Sequence, residues 1–193
     1  MRRLRMRVGL MRHFPVCQDW PRGWTTAGAL QGWMTRYNTA AVREVPCDLG
    51  GVVWQDCVSS PLSRAQATAT AVYGDGFQVC DLFAEVEYRA FQTGRLRLPV
   101  AVWRWLVQVA WWTGHPSQRA CRDDLRRRVL AAANQLEAAT RDTLVVSHAG
   151  MIAFLSAELR RRGFAGPRVT MAHHARAYVF ERRIAGGSRC PDE

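Results

Sequence analysis

The amino-acid sequence predicts an α/β fold: a three-layer αβα sandwich whose central sheet is mostly parallel. Short apolar segments recur that lack polar alternation, as strands buried on both faces require. Segments with apolar residues at helical spacing separate them. Polar or charged clusters stand just past three of the apolar segments: Arg12-His13, Ser59 to Arg64, and Ser147-His148. In such sheets ligands bind outside the carboxyl ends of the strands, so the three clusters are expected to meet at one edge.

The elements follow in order. Arg5 to Met11 reads as a strand, and Thr25 to Tyr37 as a helix with Thr25 or Thr26 as its N-cap. Gly50-Gly51 punctuates, and Val52 to Val58 reads as a second strand. Ser59-Ser60-Pro61 opens a helix that places Pro61 in its first turn, where a missing N–H costs nothing, and continues to Tyr73 before Gly74. Phe77 to Leu82 is a third strand. A loop-rich stretch from Ala84 to Pro99 leads into a Trp-rich helix, then a long helix from about Ser117 to Ala139. Leu144 to Val146 is a short buried strand that turns directly into a helix from Met151 to Arg162. Val169 to Arg183 holds one or two more strands, with the adjacent His173 and His174 on opposite sides of one and one of the pair at a pocket rim.

A chain of 193 residues with 48% hydrophobic content can bury one sizeable core, so residues 1–183 are expected to form a single domain with 184–193 as a loose tail. All 27 basic residues are arginine, and the formal charge of +11 biases the surface toward anionic partners without choosing among them. The basic clusters carry no nucleic-acid motif and read as solvated helix faces, so no nucleic-acid partner is expected. The apolar stretch after the basic N-terminus is too short for a secretory signal, and no segment approaches the roughly 20 apolar residues that span a bilayer. No membrane partner is expected. Six cysteines without metal-ligand spacing suit free thiols in a reducing cytoplasm. A homodimer is allowed.

Two histidines and two arginines at one sheet edge have a definite chemistry. Arginine forks match phosphate oxygens and stay charged at physiological pH, so they hold a phosphoryl dianion without a metal or other cofactor. A histidine beside that phosphate can act as a nucleophile, and neighbouring arginines keep it neutral by making a second positive charge costly. A leaving alkoxide needs a proton, for which Glu85 and Glu87 are the candidates.

At these residues the sequence resembles the histidine phosphatase superfamily, the group that includes cofactor-dependent phosphoglycerate mutases. "LMRHFPV" resembles a strand ending in Arg-His-Gly, "SSPLSRAQATA" a Ser-x-x-x-Arg-Ala helix start, and "LVVSHAGMI" an apolar strand ending in a histidine. The resemblance covers nearly the whole chain to about Arg183. It implies a phosphoglycerate mutase-like fold and makes His13 the nucleophile, with Arg12, Arg64 and His148 holding the phosphoryl group and Glu85 as proton donor. Glu87 is the fallback donor. The activity it implies is hydrolysis of a small phosphomonoester through a phosphohistidine. Mutase-type phosphoryl transfer and a catalytically silent phosphate-binding module are the alternatives, and the compactness of the chain favours hydrolysis over the mutase.

Two departures stand out. Phe14 occupies the place of the glycine after the nucleophile, and the Ser/Thr and Asn that often follow are missing from "FPVCQDWPR". Held extended by Pro15, Phe14 is expected to narrow the entrance and turn an aromatic face toward the substrate. Ser147 and Ala149 replace glycines around the second histidine and are small enough to leave it undisturbed. The segment 84–115 occupies the place of an active-site roof. Its tryptophans, Trp103, Trp105, Trp111 and Trp112, form a stripe of the kind that usually packs a core, and are expected to help line the substrate pocket.

Overall fold

The computed structural model describes residues 5–183, so the tail expected at 184–193 lies outside the described residues. Its main sheet has five strands in the order β4-β3-β6-β1-β7: β1 (Arg5–Arg12), β3 (Asp56–Ser59), β4 (Gln78–Val79), β6 (Thr143–Ser147) and β7 (Ala177–Arg183). The first four run parallel, and β7 pairs antiparallel with β1 at the edge. The sheet is thus mostly parallel and lies between two helical layers.

Strand geometry explains the layers, because successive side chains point to opposite faces. Val8 and Leu10 of β1 and Val145 of β6 enter one apolar cluster with Leu125, Val129 and Leu136 of helix α4 (Pro116–Ala138) and Ile152, Leu155 and Leu159 of α5 (Ala149–Arg161). Met11, Leu144 and Val146 point the other way, into a cluster with Ala65 and Ala69 of α2 (Ser63–Tyr73) and with Trp54. Every residue of β6 is buried, as a central strand demands. Gly9 has a steric cause: a Cβ there would sit 2.6 Å from the Trp54 ring, so a side chain would push the indole off the sheet.

Several boundaries differ from expectation. The second strand is confined to Asp56–Ser59, with 52–55 outside it. Helix α2 starts at Ser63 with Leu62 as N-cap, which leaves Pro61 ahead of the helix, in a turn where the Leu62 N–H donates to Ser60 Oγ. The third strand shrinks to Gln78–Val79, and Asp81–Phe83 is a turn of 3-10 helix. His173 and His174 lie outside β7 and not within a strand of their own.

Helix α1 (Ala27–Thr39) is capped by Thr26, whose Oγ1 accepts from the Ala29 N–H. Just before it, β2 (Trp24–Thr26) pairs antiparallel with β5 (Arg97–Pro99). These three-residue strands are too short to show an alternation in sequence. Their ladder docks α3 (Val100–Thr113), whose Trp103 Nε1–H donates to Thr25 O (2.8 Å).

Candidate active site

The register of the sheet assembles the site. β1 and β6 pair with Arg12 opposite Ser147, and β3 and β6 pair with Ser59 opposite Val146. The ladder continues one residue past each strand end: the His13 N–H donates to Ser147 O (3.0 Å) and the Ser60 N–H to Val146 O (3.0 Å). Backbone hydrogen bonding therefore brings the three clusters side by side, and the His13 and His148 ring centroids lie 5.0 Å apart.

His13 is buried and held at both ring nitrogens. Its Nδ1 lies 2.6 Å from the Phe14 carbonyl oxygen, which can only accept, so the proton resides on Nδ1. Nε2 then carries the lone pair, and Arg64 Nε donates to it at 3.2 Å. Burial, together with the charges of Arg64 and Arg12 and the neighbouring His174, pushes the His13 pKa down to about 3 against the opposing pull of the Phe14 carbonyl. The imidazole is neutral at physiological pH and its free lone pair faces a guanidinium.

His148 is the N-cap residue of α5, where the helix dipole also disfavours positive charge. Burial, with Arg64, His13 and Arg12, holds its pKa well below the usual histidine range. Its Nε2 lies 2.7 Å from Ser60 Oγ. With the Ser60 hydroxyl donating there, the ring proton sits on Nδ1. Among the described residues, three buried side-chain polar atoms have no hydrogen-bond partner, and two of them are His148 Nδ1 and Arg12 Nε. Buried unpaired donors are costly unless something polar meets them.

The arginines are fixed by neutral acceptors; neither is in an ion pair among the described residues, and Glu85 is the carboxyl whose charge acts on both. Arg64, buried at the start of α2, donates from Nη1 to Asn38 Oδ1 (2.8 Å) and stacks over the Tyr37 ring at 5.2 Å. Arg12 donates from Nη1 to Ala172 O (2.9 Å). Burial lowers both pKa values, but a guanidinium starts too high to lose its proton.

Glu85 and Glu87 are separated by the fold. Glu85 is half-buried, its Oε1 accepting from the Val86 N–H (2.9 Å), and its carboxyl lies near the Met151 amide in the first turn of α5. Burial raises its pKa although these amides and the charges of Arg64 and Arg12 pull it down. Glu87 is exposed and lines a cavity of about 590 Å³ with Gln31, Tyr88 and Arg89. Gly150 makes room for the acid, since a Cβ there would lie 2.8 Å from Glu85 Oε1. The segment that carries Glu85 is clamped from α4: Arg128 donates to Ala84 O (2.7 Å) and Glu85 O (3.3 Å), and Ser147 Oγ donates to Phe83 O (2.7 Å).

Phe14 corrects the sequence reading. Its ring is buried with Met11, Ala65 and Ala69 and faces no entrance. Its backbone joins the site instead, with the carbonyl on His13 and the N–H donating to Thr68 Oγ1 (2.9 Å). The Trp stripe also divides: Trp103 and Trp111 are buried, and Trp105 and Trp112 are exposed. Trp111 supports Tyr88 edge-on at 5.0 Å, two residues of the stripe thus packing the core. Tyr37, Asn38 and Thr68 carry no signal in the sequence as site residues, whereas Ser60 is the serine of the Ser-x-x-x-Arg-Ala helix start. His174 is at the site without the predicted strand: its Nδ1–H donates to His13 O (2.7 Å), and its ring lies 5.2 Å from that of His13.

No group of three or more His, Cys, Asp or Glu among the described residues is placed to hold a metal ion. Burial pushes the Cys57 thiol up to about 12, which makes it a poor nucleophile beside the site.

The comparisons with known proteins agree with this architecture. The sequence profile of the histidine phosphatase superfamily (branch 1) matches residues 26–187, a stretch that includes the second and third clusters and begins beyond Arg12-His13. Among solved structures, phosphoglycerate mutase from Bacillus anthracis is similar with a TM-score of 0.53 at 13% identity, over 94% of this chain and 89% of that one. A mycobacterial hydrolase reaches 0.52 at 17% identity over 92% of each chain. The product of an open reading frame of Mycobacterium tuberculosis reaches 0.51 at 16% identity, over 93% of this chain and 96% of that one. At such identities the likeness is one of fold. No curated protein sequence matches the chain. A mostly parallel sheet between two helical layers, with the profile matched over most of the chain, places the protein in the histidine phosphatase superfamily, branch 1.

Proposed function

We propose that the protein is a metal-independent phosphatase that hydrolyses a small phosphomonoester through a phosphohistidine on His13. The observation that carries this reading is the polarity of the His13 ring: Nδ1–H is tied to Phe14 O and the Nε2 lone pair lies against Arg64. In the first step Nε2 bonds to phosphorus as the P–O bond to the leaving group breaks, and Glu85 gives its proton to the leaving oxygen. In the second, water adds to phosphorus, the N–P bond breaks, and Glu85 takes the proton back. The Phe14 carbonyl stabilises the positive imidazole ring of the intermediate. Arg12, Arg64 and His148 Nδ1–H bind the equatorial oxygens of a loose transition state, which needs stabilising charge more than covalent help. A raised Glu85 pKa keeps the acid protonated closer to neutrality than an ordinary carboxyl.

Among the described residues, Arg12 and Arg64 are the guanidiniums whose charge acts on His13, enough for one phosphoryl dianion, which favours hydrolysis over mutase-type transfer. A silent binding module would have no need of a carboxyl whose pKa burial raises beside the two arginines.

The experiment is hydrolysis of p-nitrophenyl phosphate in the presence of a chelator, inhibited by vanadate, with His13→Ala as the blank and a screen of phosphorylated metabolites for the substrate. Turnover should vanish in His13→Ala, and an acid-labile phosphoryl adduct should form on the wild type alone. Activity that survives the substitution overturns the mechanism.

A further inference from the structure

We infer that helix α3 docks the protein on an anionic lipid bilayer, lying in the plane of its surface. Val102, Trp105, Val109 and Trp112 recur at intervals of three, four and three residues, which sets them in one stripe along the helix. All four are exposed, Trp105 and Trp112 at 63% and 67%. The opposite face, with Val100, Trp103, Ala110 and Trp111, is buried against the protein, so the stripe is held outward by a fixed scaffold. Trp24, paired opposite Pro99 at the N-terminal end of α3, adds another exposed indole.

The charge around the stripe selects the occupant. From Tyr88 to Arg122 the chain has six arginines, at 89, 95, 97, 104, 119 and 122, and no aspartate or glutamate. Arg97 donates to Trp24 O, and Arg104 stacks over Trp20 at 5.0 Å, so exposed indoles and guanidiniums are interleaved. Tryptophan settles at the headgroup level of a bilayer, and arginine is attracted to anionic lipids. A helix with an apolar stripe and basic flanks lies on such a surface. A second copy of the chain is a poorer fit, because a two-fold contact through this face would oppose like charges. Two indoles and two valines at these exposures also offer on the order of 400 Å², about half of what one partner buries in a stable interface. None of the described helices is long and apolar enough to cross a membrane, so docking is peripheral. The sequence reading, which expects no membrane partner, tests only for spanning segments and cannot see a stripe whose exposure is set by packing.

The test is co-sedimentation of the full chain with vesicles of phosphatidylcholine alone or with 30 mol% phosphatidylserine, at low and high salt, comparing the wild type with Trp105→Ser/Trp112→Ser. Both substituted residues are exposed, and an unchanged melting curve and far-ultraviolet circular dichroism certify the variant's fold. The wild type should bind the anionic vesicles at least tenfold better than the neutral ones and release them in high salt. The double variant should lose at least tenfold in binding, and wild-type tryptophan emission should shift to the blue on the anionic vesicles. Equal binding by the variant, no binding by the wild type, or a dimer that the substitutions dissolve would each overturn the proposal.

Discussion

Arg64 Nε donates to Nε2 of His13 at 3.2 Å, and these two residues come from the start of α2 and the end of β1, 51 positions apart in the chain. The guanidinium thus rests on the same lone pair that attacks phosphorus in the proposed mechanism. When a phosphoryl group binds, its oxygens are better acceptors than an imidazole nitrogen, so Arg64 transfers its hydrogen bond and frees the nucleophile. Arg64→Gln should lower kcat/KM by about 10²–10³-fold, equivalent to about 3–4 kcal/mol of transition-state stabilisation. Arg64→Lys should recover little, because a single ammonium cannot serve both Asn38 and a phosphate oxygen. Steady-state kinetics on p-nitrophenyl phosphate decides it.

The depressed histidines predict a pH dependence of stability. His13 is neutral in the native state down to about pH 3 and takes up a proton near pH 6.5 when unfolded. The unfolded state therefore binds more protons between those values, and stability falls as pH falls through that window. From pH 7 to 5 the loss from His13 alone should be about 2 kcal/mol. His148 acts in the same direction, and Glu85, with its raised pKa, in the opposite one. Urea unfolding of wild type and His13→Asn at both pH values isolates the contribution, since the variant should lose about 2 kcal/mol less across the interval. Equal losses would mean that His13 is not buried neutral.

Arg128 should matter for the acid and not for the nucleophile. Its guanidinium is bonded to Asp124 by Nε (2.8 Å) and grips Ala84 O and Glu85 O, fixing the backbone that carries the proposed proton donor. Arg128→Met should slow hydrolysis of an alkyl phosphate, whose alkoxide must be protonated, by about 10–100-fold. The same variant should change p-nitrophenyl phosphate turnover less than about threefold, because nitrophenolate departs without a proton. A uniform loss on both substrates would assign Arg128 to the structure alone.

Phe14→Ala tests where the ring points. The side chain is 3% exposed and packs on α2 alanines, so its removal should cost about 3–5 kcal/mol of stability in urea unfolding. The carbonyl that holds His13 Nδ1 remains, and KM should stay within about twofold of wild type. A large change in KM with little loss of stability would return Phe14 to the entrance.

The main strands were legible because burial on both faces leaves a mark in the composition. Leu144 to Val146 reads as a short buried strand and lies within the central strand β6, and the polar residues just past β1, β3 and β6 reach one sheet edge because parallel pairing admits little else. β2 and β5 were not legible, since three-residue strands have no period to detect. Glu85 and Glu87 are chemically identical in the sequence. Close packing against Gly150 at the start of α5 half-buries one of them and leaves the other in solvent.

By itself the sequence determined the layered α/β fold and which residue types stand at the ends of the parallel strands, since hydrophobic patterning and turn chemistry are local properties. Only the tertiary structure decided that Phe14 gives its ring to the core and its carbonyl to His13, where small α2 side chains leave space for a phenyl group. The same holds for His174, 161 positions from the backbone oxygen it bonds, and for the α3 stripe, two of whose neighbouring tryptophans are buried while two face solvent. These outcomes depend on what lies opposite each residue in space, and packing between distant segments supplies that information.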